Sequence, residues 1–335
     1  MTAMAVTPET MRAAVRERYG APREVIEFKQ VPKPTLEDDQ VLVRVRAVSL
    51  NRSDYYTAAA PILLFRKLTG GSFRKPKTIE IGGDLAGVVE AVGKDVTDFA
   101  PGDEVFGART GAFSEYAAAR MIVKKPANVS FEEAATFGGG ALTALQALRD
   151  KGRLQAGQSV LINGASGAVG PFAVQMAKAL GAGKVTAVCS TRNVEQTRAL
   201  GADRVIDYTR EDFTKSGERY DLIVDMAATK PWRRIVRALT PDGTYVLVGS
   251  PITNRFIGPL GKIGRLIVAS RFTRHKFVFF IASFNKPDME ALRELLASGK
   301  VRPVIERVYP FAQLADALEY MGEGHARAKL VVTLE

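Results

Sequence analysis

One cysteine, Cys189, and two histidines, His275 and His325, are present among 335 residues. A single thiol forbids an intrachain disulfide and suits a reducing compartment. Neither a four-cysteine zinc site nor one of two cysteines and two histidines can be assembled from so few ligands. No apolar run approaches the ~18 residues of a membrane-spanning helix, and the opening MTAMAVTPETMRAAVRERYG lacks the apolar centre of a secretory signal. These absences point to a soluble protein of the cytoplasm. What is present is an ordinary globular balance, 46% hydrophobic and 25% charged. The length favours two domains, with a core that needs no covalent staples.

Acid is missing locally. Residues 55–79 contain no Asp or Glu but carry Arg66, Lys67, Arg74, Lys75 and Lys77. Residues 243–287 again contain none and carry Arg255, Lys262, Arg265, Arg271, Arg274, Lys276 and Lys286. These cations outnumber the net charge of +11, so the basicity is a local surface feature. No helix-turn-helix, zinc-finger or RNP pattern accompanies them, which argues against nucleic acid as a partner.

The first third reads as β-rich. Residues 41–48 alternate apolar and polar in the strand period, residues 85–92 do so among glycines, and Pro101-Gly102-Asp103 is a turn before another short strand. This texture predicts a compact β-barrel-like domain ending near residue 130. Ser130-x-x-Glu133 is a capping box, and 141–149 follow as helix. Strands are then expected at 159–163, 184–188, 204–206, 221–225, 244–248 and 277–281, and helices at 168–180, 194–200 and 232–239. Such alternation predicts a doubly wound α/β fold with a parallel sheet. An amphipathic helix over 288–299 and a last strand over 330–333 complete the chain.

The most specific motif is Val160-Leu161-Ile162-Asn163-Gly164-Ala165-Ser166-Gly167-Ala168-Val169-Gly170, a strand, a small-residue turn and the start of an apolar helix. Read as Ala165-x-Gly167-x-x-Gly170, it is a dinucleotide fingerprint with alanine at its first glycine. Gly167 admits a pyrophosphate close to the backbone, Gly170 lets helix and strand approach, and the helix N-terminus supplies donors. Cofactor contacts are therefore expected from Ala165, Ser166, Gly167, Ala168, Val169 and Gly170. Pro171 after the last glycine excludes a P-loop, and no Tyr-x-x-x-Lys of a short-chain reductase occurs. After the second strand comes Cys189-Ser190-Thr191-Arg192-Asn193, where NAD-binding chains usually offer a carboxylate to the ribose. Ser190, Thr191, Arg192 and Asn193, with Tyr208 nearby, suit a 2′-phosphate instead. NADPH is expected over NADH. The alternative is that Arg192 is a solvated residue at a helix start. Gly249 and Ser250 follow the fifth strand, at the sheet edge where α/β ligands bind.

Six ordered pieces carry a resemblance: Asn51-Arg52-Ser53-Asp54-Tyr55-Tyr56, Gly82-Gly83-Asp84-Leu85-Ala86-Gly87, residues 101–107, residues 111–116, residues 141–148 and the loop 165–170. From about residue 12 to the end the chain resembles the medium-chain dehydrogenase/reductase superfamily, in its zinc-independent quinone oxidoreductase branch. The resemblance implies a GroES-like catalytic domain over 1–132, completed by 285–335, and a Rossmann domain over 133–284. It implies a dimer or tetramer joined along the edge of the cofactor sheet, with 277–281 as the candidate strand. Zinc-dependent members carry cysteine near the position of Asn51–Asp54 and Gly-His-Glu where this chain has Gly82-Gly83-Asp84, so no metal is expected here.

The implied activity is NADPH-dependent hydride transfer to a quinone or an α,β-unsaturated carbonyl. A zinc-free alcohol dehydrogenase and a cofactor-binding structural or regulatory protein are the alternatives. Asn51 and Tyr56, with Tyr55 beside them, are the implied catalytic residues, Asp54 a brace for their loop, and Thr143 a nicotinamide contact. The closing segment His325-Ala326-Arg327-Ala328-Lys329 offers Arg327 and Lys329 as phosphate partners, while Ala328, where glycine is common, weakens a backbone contact. The apolar and basic stretches within 58–77 and 255–276 flank the substrate mouth in this family. They are expected to form a lid, an oligomer contact or a membrane-surface patch.

Overall fold

The computed structural model describes residues 9–252, 254–324 and 326–334. Thr253 in the second basic stretch and His325 in the closing segment lie outside the described residues. The chain begins with β1 (Thr10–Arg16) and β2 (Ile26–Pro32), an antiparallel pair. Then come β3 (Val41–Leu50), β4 (Asp84–Val92), β5 (Glu104–Ala108), β6 (Tyr116–Ala119) and β7 (Met121–Lys124). In β3 only Arg44 and Arg46 escape burial, because neighbours cover it on both sides. The parallel strands are β8 (Ser159–Asn163), β9 (Lys184–Cys189), β10 (Arg204–Asp207), β11 (Tyr220–Asp225), β12 (Leu239–Leu247) and β13 (Lys276–Phe279). Last come β14 (Ile305–Pro310) and β15 (Lys329–Thr333).

Two large sheets result. One runs β14-β15-β3-β4-β5-β7, with β6 also on β3. Its member β15 pairs antiparallel with β3, Leu330 opposite Leu50, so the end of the chain returns to the first sheet. The other runs β10-β9-β8-β11-β12-β13, every pair parallel. Strand order reverses between β8 and β11, the switch point where an α/β sheet opens a ligand crevice at its carboxyl edge. The strand expected at 277–281 is β13, an edge of this sheet, with Phe279 and Ile281 exposed.

Local chemistry sets the boundaries. The box at Ser130 forms as expected, Glu133 N donating to Ser130 Oγ at 3.2 Å and Ser130 N to Glu133 Oε2 at 2.9 Å. The helix expected over 232–239 is shorter: one α-turn, Trp232–Ile235, tightens into 3₁₀ at Val236–Ala238, and Leu239 already begins β12. Pro241 and Gly243 follow too closely for the helix to continue. The helix expected over 141–149 runs Gly139–Leu145 and then widens to a π-turn over Gln146–Lys151.

One hydrophobic core joins the sheets. Ala86, Phe106 and Val123 of the first pack with Val160 and Ile162 of the second around Phe137, Leu142 and Leu145. Phe137 meets Phe172 edge-on at 5.1 Å, and each such side chain contributes about 1.5–3 kcal/mol on burial. Among the described residues no helix is long and apolar enough to cross a membrane.

Candidate active site

In the glycine loop Gly167 and Gly170 sit as the fingerprint expects, and the tight turn comes one residue before Ala165. Gly164, at φ +91°, makes the tight turn, not Ala165. The side chain of Ala165 is buried, and its amide donates to Val188 O at 3.0 Å, so that amide is not offered to a phosphate. A Cβ on Gly170 would sit 2.4 Å from the Ala165 carbonyl carbon and Gly164 O, whereas one on Gly167 would meet nothing closer than 3.8 Å. Helix Gly170–Ala179 thus starts hard against β8 while Gly167 leaves open room. Among the described residues the amides of Ala168, Val169 and Gly170 have no protein acceptor. Unbonded donors at a helix start are what an anionic pyrophosphate needs.

Asn193 ties this loop to the end of β9. Its buried Nδ2 donates to Ser166 Oγ and Ser190 Oγ, both at 3.0 Å, and its Oδ1 has no partner among the described residues. Thr191 departs from expectation: its hydroxyl donates to Asp207 Oδ2 at 2.6 Å, so its proton is not available to a phosphate. That bond, first among its causes, holds the Asp207 carboxyl below the usual range. Tyr208 is exposed, with its amide on Cys189 O at 3.0 Å.

A second cluster lies where the two sheets meet. Asn51 caps helix Arg52–Ala59, and Asp54 braces it by accepting from Asn51 N at 2.7 Å. Asn51 Nδ2 donates to Asp84 Oδ2 at 2.7 Å, and Asn51 Oδ1 accepts from Lys329 Nζ at 2.8 Å. An ammonium only donates and a carboxylate only accepts, so these partners fix which end of the amide is which. One Nδ2 hydrogen is left over. Ser49 Oγ donates to Asp84 Oδ2 at 3.0 Å and Gly139 N to Asp84 Oδ1 at 2.8 Å. The sequence reading missed Gly138-Gly139-Gly140, although three consecutive glycines before a helix are a visible signal. A Cβ on Gly138 would lie 2.1 Å from Asp84 Oδ1, and one on Gly140 would lie 2.7 Å from Ala168 O. Glycine there lets one helix start touch both the carboxylate and the phosphate loop. Thr143, one turn on, donates to Gly139 O at 2.6 Å and keeps its oxygen as an acceptor.

Lys329 is not a phosphate partner. It is fully buried and directed to Leu50 O at 3.1 Å, Asn51 Oδ1 and Asp84 Oδ2 at 3.5 Å. Burial pushes its ammonium pKa down, against the pull of Asp84. Asp54 is raised to about 7, first by burial and then by the charge of Asp84. Two carboxyls and one ammonium therefore share this pocket. Arg327 donates its amide to Glu306 Oε2 at 2.5 Å, and its Nε is buried without a partner among the described residues. The Ala328 amide is spent within the protein: at φ +61° it donates to Ser166 O at 2.8 Å and ties the chain end to the glycine loop.

The tyrosines part company. Tyr55, half-buried, packs on the first sheet's core, against Gly322, where a Cβ would come within 2.2 Å of its ring. Tyr56 accepts from Arg52 Nε at 3.0 Å, which leaves its hydroxyl proton to donate. Arg52 was not singled out from the sequence. Gly249 N reaches Asp225 O at 3.3 Å, at the carboxyl edge of β11 and β12, beside the buried Ser250 Oγ, which has no partner among the described residues. A cavity of about 660 Å³ lies beyond that edge, lined by Trp232, Ile257, Lys262, Arg265 and Leu266.

The donor set does not fit zinc. Both Asp84 oxygens already receive donors, one of them an ammonium, and among the described residues no three His, Cys, Asp or Glu side chains converge. The phosphate cradle and its free amides do fit a dinucleotide.

Comparison with known proteins gives relatives and solved structures that cover 96% or more of the chain. The family model of the alcohol dehydrogenase GroES-like domain matches residues 37–151, and that of zinc-binding dehydrogenase matches residues 200–332. The mouse protein "NAD(P)H oxidoreductase RTN4IP1, mitochondrial" is 34% identical over 97% of this chain and 89% of its own length. The Arabidopsis thaliana "NADPH-dependent alkenal/one oxidoreductase, chloroplastic" is 31% identical over 99% and 82%. Among solved structures, the quinone oxidoreductase from Coxiella burnetii superposes with a TM-score of 0.83 at 28% identity, covering 97% of this chain and 100% of that one.

Proposed function

The chain belongs to the medium-chain dehydrogenase/reductase superfamily, and from that membership we propose that it is a zinc-independent, NADPH-dependent reductase of quinones or α,β-unsaturated carbonyls. The observation that carries this reading is the Asn51 amide held between Lys329 and Asp84 with one N–H to spare. A bound nicotinamide supplies the hydride. Ala168, Val169 and Gly170 hold its pyrophosphate, Ser190 and Arg192 its 2′-phosphate, and Thr143, Gly249 and Ser250 its nicotinamide end. Asn51 Nδ2 and the Tyr56 hydroxyl donate to the acceptor's oxygen as negative charge grows there, and the Tyr56 proton can pass to it. Relatives named for alkenal, enone and quinone reduction support the substrate class.

Sheet membership supports a division into 1–132 with 285–335 and 133–284. The exposed edge of β13 supports a homodimer, and the single cysteine a cytoplasmic setting. Membrane contact through 58–77 and 255–276 also belongs to the proposal.

The test is oxidation of NADPH and of NADH, followed at 340 nm, with a panel of quinones, enones and simple aldehydes. Turnover of quinones or enones with NADPH is expected. Arg192→Ala should raise the KM for NADPH about 10- to 100-fold, the worth of one hydrogen bond between charged groups, and leave NADH unaffected. Turnover of aldehydes alone, or no turnover, refutes the substrate class. An equal effect of Arg192→Ala on both cofactors refutes the NADPH assignment.

A further inference from the structure

Two stretches distant in sequence are one surface in the fold. Leu63 N donates to Arg255 O at 2.9 Å and Leu64 N to Phe256 O at 3.0 Å. Gly258, at φ +58°, lies so close to Ile62 that a Cβ would stand 2.5 Å from it. Beyond this junction, helix Leu260–Ser270 buries Ile263 and Leu266 against the protein. Its opposite face is apolar as well. Leu260, Gly264, Ile267 and Val268, spaced by four, seven and eight residues, form a second stripe that looks outward. Val268 is 59% exposed, Phe272 just past the helix 85%, and Phe256 at the junction 67%.

Among the described residues the cations on this surface also make few ion pairs. Lysines and arginines elsewhere are drawn into ion pairs, as Arg120 is with Glu37 and Asp39 and Arg204 with Glu211 and Glu218. Of the cations in the two acid-free stretches only Lys286 makes an ion pair among the described residues, with Asp98 at its far end. The surface thus joins exposed aliphatic and aromatic side chains to uncompensated positive charge.

We infer that the joined stretches form a docking face for an anionic lipid bilayer. Such a bilayer satisfies both halves: its headgroups neutralise the cations and its interfacial region takes Phe256, Ile267, Val268 and Phe272. A nucleic acid would neutralise the cations but leave the aliphatic stripe in water. A second copy would bring the same uncompensated cations against these. The inference deepens the membrane contact named in the proposed function; it stands on the surface alone and is independent of the redox part of that reading, though a bilayer is also where apolar quinones and enals collect.

The experiment is co-sedimentation of the full chain, without cofactor or substrate, with phosphatidylcholine vesicles and with vesicles containing phosphatidylglycerol, at low and high salt. Binding to the anionic vesicles is expected, at least about tenfold tighter than to neutral ones and weakened by salt. Val268→Ser with Phe272→Ser, which keeps the charge, and Arg271→Glu with Arg274→Glu, which keeps the stripe, should each weaken it about tenfold or more. Circular dichroism and NADPH turnover with a water-soluble enone should stay unchanged. No binding at low salt overturns the inference, as does undiminished binding of the serine variant. A dimer that dissociates on the serine substitutions assigns the face to a second copy instead. Duplex DNA that competes away all vesicle binding, with the serine variant unaffected, assigns it to nucleic acid. None of these results bears on turnover with the soluble enone, so the two readings fail separately.

Discussion

Asp54 should make the stability of this protein fall as pH rises toward neutrality, and Asp54→Asn should abolish that fall. The carboxyl is 5% exposed, and its pKa rises from 3.8 to about 7, through burial first and the charge of Asp84 second. A folded-state pKa above the unfolded value means that the native state holds the proton more tightly. The stabilisation is complete below the unfolded pKa and is lost as pH climbs through the folded one. About three pKa units at 1.36 kcal/mol each come to about 4 kcal/mol, of which about 3 kcal/mol falls between pH 4.5 and 7.5. Asparagine keeps an oxygen to accept from Asn51 N and carries no titrating proton. Urea unfolding of both proteins at pH 4.5, 5.5, 6.5 and 7.5 isolates the effect, because the difference between them cancels the titrating groups that are not coupled to Asp54. The wild type should lose about 3 kcal/mol relative to Asp54→Asn across that range, with unchanged m-values. Parallel stability curves would refute the reasoning. The same charge, appearing beside Asn51, should also depress kcat as pH passes about 7 in the wild type but not in the variant.

Lys329→Met keeps an unbranched side chain one heavy atom shorter but strands Asp84, 1% exposed, without its cation. It should cost about 3–5 kcal/mol in urea unfolding, and adding Asp84→Asn should recover most of that loss. Equal stability of the single and double variants would show that the pair is not coupled. Ala328→Gly removes a Cβ from a left-handed residue at φ +61°. It should stabilise the fold by about 0.5–1 kcal/mol after the entropy of glycine is counted, read as a higher urea midpoint at constant m.

The parallel strands were legible to within a residue or two at most ends, because apolar runs cut by glycine carry their own boundaries. The long β12 and the shortened helix before it were the exception. What sequence does not carry is which distant polar groups meet. Lys329 opens an apolar strand, and at that place a lysine looks like a surface cation reaching for phosphate. Its burial is decided by Asn51 and Asp84, 278 and 245 residues away. At the glycine loop the turn falls on Gly164, which supplies the positive φ it requires, and not on Ala165, while Gly167 and Gly170 stand where the fingerprint puts them. The tyrosines were separable in principle. On helix Arg52–Ala59 the buried Asp54 and Ala58 set an inward face that includes position 55 but not 56. Recognising that phase would have sent Tyr55 to the core.

The buried ammonium bears on which acceptors this site can reduce. Lys329 lies against Asn51 and Asp84, which stand in the two segments, 51–54 and 82–84, that the resemblance aligns with the metal-binding segments of zinc-dependent members. Its protons are directed to Leu50 O, Asn51 Oδ1 and Asp84, so none is left to donate to a substrate oxygen. What it does is hold the amide carbonyl of Asn51, polarising that amide so that the remaining N–H is the better donor. One such hydrogen bond to growing charge is worth about 1.5–3 kcal/mol, against the several kcal/mol a coordinated metal supplies to an alkoxide. A quinone or enone spreads the arriving charge over its conjugated system and needs only the smaller sum, whereas a simple ketone localises it on one oxygen. On the proposed chemistry, the rate should therefore fall with the acceptor's ability to delocalise charge, and the fall should steepen when Asn51 is replaced by leucine.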